Sequence, residues 1–267
     1  MKGAKLIQVY AKVLNQTEII TNHFILRIFS PEIVKKAIPG QFVMLSAWKQ
    51  KDPLLRRPFT FNRLFPEEGS FEILYKKVGK GTEIMSYLKA GDQVSLLGPL
   101  GNGIKFPQNT KKIAIVCRGI GVAPMLAIID KAKEKGIDIY AYLSAATKDL
   151  LLVKKEIKQK AKLLYITTDD ASLGISGKVT DFLEKTLKDT KIDAVYTCGS
   201  KRLKRHTERL KELYGFNAWV ILEEHMACGF GACKGCACKA KKDNNHKGKY
   251  FLVCKDGPVF PIDEVEV

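Results

Sequence analysis

Residues 113–124 read Ile113-Ala114-Ile115-Val116-Cys117-Arg118-Gly119-Ile120-Gly121-Val122-Ala123-Pro124, and this stretch decides the architecture. Ile113–Cys117 is a short apolar run of the kind buried on both faces of a parallel sheet. Two glycines then turn the chain into a helical pattern over Ala123–Lys135, with Pro124 tolerated in the first turn. A glycine turn between a buried strand and a helix is where an open α/β sheet holds a dinucleotide. Pro124 takes the last place of what would otherwise be a G-x-G-x-x-G fingerprint. Gly119 and Gly121 are therefore candidate nucleotide-binding residues.

Downstream the rhythm repeats. Strands are expected at Ile137–Leu143, Leu163–Thr167, Ala194–Cys198 and Ala218–Leu222. Helices are expected at Asp149–Lys160, Lys178–Lys188 and Lys201–Tyr214. Such alternation implies a parallel sheet covered on both faces. Cys198-Gly199 would stand at a strand's carboxyl end and face the same crevice, or form a plain strand-to-helix turn. Cys117 reads as a buried apolar residue rather than a nucleophile.

Upstream the pattern is different. Leu6–Leu14, His23–Phe29, Gln41–Leu45, Phe59–Leu64, Phe71–Val78 and Val94–Leu97 are short strand-like runs separated by Gly, Pro and Asn. They predict an antiparallel barrel. One helix fits at Thr82–Leu88 with Thr82 as its cap. Two features of this half carry chemistry. In Arg57-Pro58-Phe59-Thr60, Arg57 suits a diphosphate and the Thr60 hydroxyl suits a flavin ring edge. In Gly79-Lys80-Gly81-Thr82 a strand runs into a helix N-terminus, whose free N–H groups suit a phosphate. Either alone is compatible with ordinary strand and helix starts; together they point to a flavin. Gly98-Pro99-Leu100-Gly101-Asn102-Gly103 reads as a structural loop.

Beyond the α/β segment stands Cys228-Gly229-Phe230-Gly231-Ala232-Cys233-Lys234-Gly235-Cys236-Ala237-Cys238, with Cys254 further on. Cys228, Cys233 and Cys236 give C-x4-C-x2-C plus a distant fourth cysteine, the spacing of plant-type 2Fe-2S ferredoxins. Glycines at 229, 231 and 235 let the backbone approach and aim amides at sulfur. A structural zinc knot completed by Cys254 and Cys238 is the alternative. Cys238 either replaces a ligand or sits beside the cluster, and Lys239–Lys249 reads as an exposed excursion between the third and fourth ligands.

The chain has 267 residues with 46% hydrophobic and 27% charged, enough for two packed domains and a small module. The domains are expected at 1–107 (β-barrel), 108–217 (α/β) and 218–267 (cysteine module). No apolar run is long enough to span a bilayer, and Met1–Lys5 leads into no signal-peptide stretch, so a cytoplasmic protein is expected. The formal charge of +17 is read as solvated lysine, or as basic surface steering an acidic partner or anionic cofactor. No nucleic-acid-binding motif accompanies it. Clustered cysteines in such a chain serve metal or redox chemistry rather than disulfides.

In this order, Arg-Pro-Phe-Thr, Gly-x-Gly-Thr, Gly-Ile-Gly-Val-Ala-Pro, Tyr-Thr-Cys-Gly and a C-terminal cysteine module resemble the ferredoxin-reductase superfamily. Within it they resemble the electron-transfer subunits of dihydroorotate dehydrogenase B. Glu223–Cys233 and Val253–Phe260 carry the resemblance most specifically, and Thr168-Asp169-Asp170 and Gly177-Lys178-Val179 also match. The resemblance implies an α+β multidomain fold: an FAD-binding antiparallel β-barrel, an NAD-binding-like α/β domain and a 2Fe-2S module. It implies FAD held by Arg57, Pro58, Phe59, Thr60, Leu74, Tyr75, Lys76, Gly81 and Thr82, and a cluster ligated by Cys228, Cys233, Cys236 and Cys254. It further implies an FMN-containing catalytic partner that oxidises dihydroorotate in pyrimidine biosynthesis, in a heterotetramer, with NAD⁺ as acceptor. No catalytic side chain is assigned. A subunit of the same build serving another redox partner is the alternative. One departure stands out: family members carry extra glycines where this chain has Cys117 and Arg118. Arg118 is expected either to obstruct a nicotinamide or to bind a phosphate.

Overall fold

The computed structural model describes residues 6–48, 51–175, 177–241 and 249–266. Expectations for Met1–Lys5, for most of the Lys239–Lys249 excursion and for His246 lie outside the described residues. The chain forms two compact units, Met1–Gly103 with Glu223–Ala237 and Phe251–Pro258, and Ile104–Leu222 with Cys238–Tyr250 and Val259–Val267. The chain thus leaves and re-enters the first unit to complete it.

The first unit is built on seven antiparallel strands: β1 (Ile7–Ile20), β2 (His23–Phe29), β3 (Phe42–Ser46), β4 (Arg57–Thr60), β5 (Arg63–Phe65), β6 (Ser70–Lys76) and β7 (Gln93–Leu100). Their order, β4-β3-β7-β1-β2-β6-β5, describes a curled half-barrel. Its concave side is filled by Val13, Leu26, Ile28, Val43, Leu45, Phe61, Phe71, Ile73 and Leu96, all essentially inaccessible. The expected run Phe59–Leu64 divides into β4 and β5. Between them the backbone N–H of Phe61 bonds Gln41, beside β3, and that of Asn62 bonds Glu72 of β6, so the chain changes neighbours there. A one-turn helix, α1 (Pro31–Val34), follows β2. The helix α2 spans Lys80–Ser86, earlier than expected. Its placement depends on Gln16, whose side-chain amide donates to the carbonyls of Met85 and Leu88 and accepts from the Tyr75 hydroxyl.

The second unit is an open α/β layer. Parallel strands β8 (Lys112–Arg118), β9 (Asp138–Ala145), β10 (Leu163–Thr168), β11 (Ala194–Cys198) and β12 (Asn217–Ile221) alternate with α3 (Met125–Glu134), α4 (Lys154–Lys160), α5 (Val179–Asp189) and α6 (Lys201–Tyr214). Two short strands, β13 (Ala237–Lys239) and β14 (Tyr250–Leu252), precede β15 (Val259–Pro261), which pairs antiparallel with β12 at the sheet edge. The resulting order is β10-β9-β8-β11-β12-β15. β8 and β11 are central, and the run Ile113–Cys117 and all of β11 are buried, as apolar runs require. α6 starts and stops on sequence signals: the Ser200 hydroxyl accepts from the N–H of Leu203, and Gly215 closes the helix at φ 74°. The expected helix over Asp149–Lys160 shortens to α4, because Leu150–Val153 turns through a left-handed Val153 (φ 47°) and buries Leu151 and Leu152. Among the described residues no helix is long and apolar enough to cross a membrane.

Candidate cofactor sites

Three constellations were expected, and each lies within one unit. In the first unit Cys228, Cys233, Cys236 and Cys254 come together. The N–H of Cys233 points at the Cys228 sulfur at 3.5 Å, that of Gly235 at Cys233 at 3.4 Å, and that of Cys254 at Cys236 at 3.4 Å. Burial pushes the Cys228 thiol up, but the amides of Cys233, Phe230 and Ala232 outweigh it and hold the group down at about 6. Cys254 is pushed the other way, to about 12, by burial and by the neighbouring Cys236 thiol. The amides thus favour an anionic sulfur at Cys228. Its shape depends on Gly229 (φ +81°) and Gly231 (φ +90°), while Lys234 adopts φ 61°. A Cβ on Gly229 would fall 2.4 Å from Met44 Cγ, so this backbone lies directly on β3.

The thiols fall into an outer pair, Cys228 and exposed Cys233, and an inner pair, Cys236 and Cys254, each only 2% exposed. Among the described residues no three Cys, His, Asp or Glu side chains converge on a single ion. Two pairs of thiols lined by amides fit the donor set of a 2Fe-2S rhomb, two thiolates per iron. Cys238 is buried on β13. Sequence reading missed Asn102, read only as part of a structural loop. Its N–H bonds the Gly257 carbonyl at 2.6 Å, and its side-chain amide donates to the carbonyls of Lys255 and Asp256. Asn102 therefore clasps the turn that carries Cys254 to the end of β7.

The flavin candidates share that unit. Arg57 and Gly81 are 24 positions apart in sequence, yet a Cβ on Gly81 would meet Arg57 Cγ at 3.4 Å. The tetrapeptide on β4 and the start of α2 therefore form one feature. Thr82 is not the cap but the third helical residue; its hydroxyl accepts from the N–H groups of Val78 and Gly79 and fixes the turn. Thr60 donates its hydroxyl to the Gln41 carbonyl, so in this arrangement it meets a ligand only as an acceptor. Leu74 and Tyr75 are buried, and Tyr75 stacks on Phe24 and meets Phe59 edge-on, so β6 presents main chain to a ligand there; Lys76 is exposed. Among the described residues Arg57 donates to the carbonyls of Leu55 and Arg56 and forms no ion pair. A cationic guanidinium beside free helix N–H groups fits a diphosphate.

In the second unit, the carboxyl ends of the central strands form a narrow crevice. A Cβ on Gly121 would fall 2.6 Å from Gly199 Cα, and one on Gly199 (φ +122°) 2.5 Å from the Arg118 carbonyl. Gly119, Gly121, Cys198 and Gly199 are thus one site, closed by backbone-to-backbone contact that only glycine permits. Nothing lies within 4 Å of the side-chain position of Gly119, at φ +51°. Arg118 does not occupy that space. It reaches over β9 to Asp169, just past β10, in a two-pronged ion pair. The Arg118 hydrogen bond holds the Asp169 carboxyl below its ordinary range. Cys117 is wholly buried, which pushes its thiol far up.

Two family models match this chain. Residues 11–104 match an oxidoreductase FAD-binding domain, and residues 223–266 the iron-sulfur cluster binding domain of dihydroorotate dehydrogenase B. The electron transfer subunit of dihydroorotate dehydrogenase B (NAD(+)) from Desulforamulus reducens is 34% identical over 96% of this chain and 97% of its own length. The corresponding subunit from Clostridium acetobutylicum is 40% identical over 83% of each chain. The chain belongs to the dihydroorotate dehydrogenase B electron-transfer subunit family. The structure of an NADH-dependent reduced ferredoxin-NADP oxidoreductase superposes with a TM-score of 0.84 at 32% identity, covering all of this chain and 91% of the other. A ferredoxin NADP+ reductase from Neisseria gonorrhoeae, solved with FAD and NADP, shares the fold at a TM-score of 0.63 and 18% identity, over 80% of this chain and 93% of its own. Members of this family are oxidoreductase subunits, and this one carries the family's FAD-binding and iron-sulfur-binding domains.

Proposed function

We propose that this chain carries electrons from an FMN-containing dihydroorotate dehydrogenase subunit to NAD⁺, through a 2Fe-2S cluster on Cys228, Cys233, Cys236 and Cys254 and an FAD. The observation that carries the reading is the amide-lined loop of four thiols packed on β3, whose Met44 pairs in register with Pro58 of the flavin strand. When bound, the FAD converts between the one-electron chemistry of a cluster and the two-electron chemistry of a nicotinamide. The chain's own residues do the rest. Arg57 and the amides of Lys80 and Gly81 hold the diphosphate, Thr60 and the β6 main chain orient the ring, and the loop amides favour the more negative cluster. Gly119, Gly121, Cys198 and Gly199 let a dinucleotide approach the strand ends. The domain division proposed with this function is 1–107, 108–217 and 218–267, and the assembly a cytoplasmic heterotetramer.

The test is the visible spectrum of the purified chain, with iron, sulfide and zinc analysis, before and after anaerobic NADH. Flavin and cluster absorbance, about two iron and two sulfide per chain and bleaching by NADH are expected. A colourless, zinc-containing protein would overturn the reading. The structural likeness to the NADH-dependent ferredoxin-NADP oxidoreductase favours one second reading, service to another redox partner. Co-purification with a dihydroorotate-oxidising flavoprotein decides between them.

A further inference from the structure

The register of β3 and β4 orders the flavin site along its length. Phe42 faces Thr60 and Leu45 faces Arg57. From Thr60, which serves the ring edge, to Arg57, which serves the diphosphate, is three residues, or about 10 Å of strand. That is the right span for the riboflavin half of FAD. The adenosine half must then continue past Arg57, in the direction in which β3 ends at Ser46.

Trp48 stands there. Its indole lies 3.2 Å from where a Cβ of Gly81 would be, at the start of α2. The Arg57 guanidinium lies over the ring, 5.8 Å from its centroid. The Ser46 hydroxyl donates to the Trp48 carbonyl and ties the residue to the end of β3, and Lys80 of α2 forms an ion pair with Asp52. The ring is only partly buried, so aromatic surface remains for a ligand. A large aromatic held against both diphosphate-binding features, on the chain just past the Ser46 end of β3, has a purine as its natural partner.

We infer that Trp48 stacks on the adenine of FAD and makes this site prefer FAD over FMN. The inference rests on the flavin reading of Arg57 and Gly81. It goes beyond that reading in assigning an adenosine subsite and in predicting selectivity between the two flavins.

The experiment is equilibrium dialysis of the deflavinated full chain against FAD and, separately, FMN. Base–aromatic stacking of ordinary strength gives an expected loss of about tenfold or more in FAD affinity for Trp48→Leu. FMN affinity should hold within about twofold, and Trp48→Phe should recover most of the FAD affinity. Arg57→Gln should weaken both flavins, because both carry the phosphate next to riboflavin. Equal weakening of FAD and FMN by Trp48→Leu, or no change in either, overturns the adenine assignment. No effect of Arg57→Gln on either flavin overturns the flavin reading itself, a distinct outcome. A second measurement is independent of the leucine variant's folding. In a Trp219→Phe background, Trp48 is the sole indole. Its emission should be quenched by saturating ADP, which carries the adenine but no flavin ring to accept the excitation, whereas emission unchanged by saturating ADP rejects the proposal.

Discussion

The cysteine loop of the first unit and the dinucleotide crevice of the second are both shaped by glycine, but they are made in opposite ways. The loop is contiguous: three of four thiols, and the amides that face Cys228 and Cys233, lie within Cys228–Cys236, and only Cys254, whose amide faces Cys236, arrives from elsewhere. The crevice is assembled from the ends of strands far apart in sequence, Arg118–Gly121 after β8, Asp169 after β10 and Cys198-Gly199 after β11. A contiguous site is specified by spacing and rests on covalent connectivity. An assembled site is specified by the sheet and rests on register. The first should fail sharply when one atom changes, the second gradually.

Replacing Cys233 with Ser tests the sharp limit. Removing one of four thiolates should reduce iron and sulfide to a small fraction of the wild-type content, while FAD stays bound and the flavin spectrum persists. A normal cluster spectrum in this variant would refute the ligand assignment. Cys238→Ser, as the control, should keep the cluster.

Gly121→Ala strikes the crevice at its tightest point. The added methyl would meet Gly199 Cα at 2.6 Å, with backbone on both sides and nothing flexible to yield. Reduction of the flavin by NADH should fall about tenfold or more, a cost of about 1–3 kcal/mol. Iron, sulfide and flavin content should be unchanged. Undiminished reduction by NADH would show that the dinucleotide does not use this turn.

How much was legible in advance follows the same division. That Cys228, Cys233 and Cys236 gather in one loop was readable from spacing, as were the ends of β2, β11 and α6. The flavin site was readable only as two fragments. Nothing local to Arg57 or Gly81 says that they touch; the half-barrel does that. Asn102 was invisible because its partners are the main chain of Lys255–Gly257, and carbonyl groups leave no trace in a sequence. The edge strand β15 was missed because three residues ending in Pro261 carry too little pattern, and proline is tolerated there only because the edge needs no donor on its open side. Val153 delays the start of the expected Asp149–Lys160 helix to Lys154, since burying Leu151 and Leu152 gains more than a further helical turn.

Asn102→Ala probes a long-range tie of the contiguous site. Its side-chain bonds are exposed, so about 0.5–1.5 kcal/mol is at stake. The cluster should still assemble, but its absorbance should decay severalfold faster in air, with flavin retention unaffected. An unchanged lifetime would mean that the backbone bond from residue 102 to Gly257 and the turn's own bonds suffice to hold the Cys254 turn.

The smallest effect is expected from Arg118, and its sign matters more than its size. Arg118 and Asp169 are 26% and 56% exposed, so losing their pair should cost under about 1 kcal/mol of stability. An obstructing Arg118 predicts tighter NADH binding when it is removed. The structure argues otherwise, because the side chain is drawn over β9 and leaves the space beside Gly119 open. Removing Arg118 strips Asp169 of the hydrogen bond that holds it ionised but leaves it mostly charged at neutral pH, since its carboxyl is exposed. An unpaired carboxylate at the crevice repels a dinucleotide's phosphates. Arg118→Gly should therefore raise the KM for NADH two- to fivefold, within the usual range for one screened charge, and adding Asp169→Asn should return it toward the wild-type value. A lower KM in the single variant would restore obstruction. An unchanged KM in both variants would place the phosphates away from this pair and confine dinucleotide binding to the glycine edge.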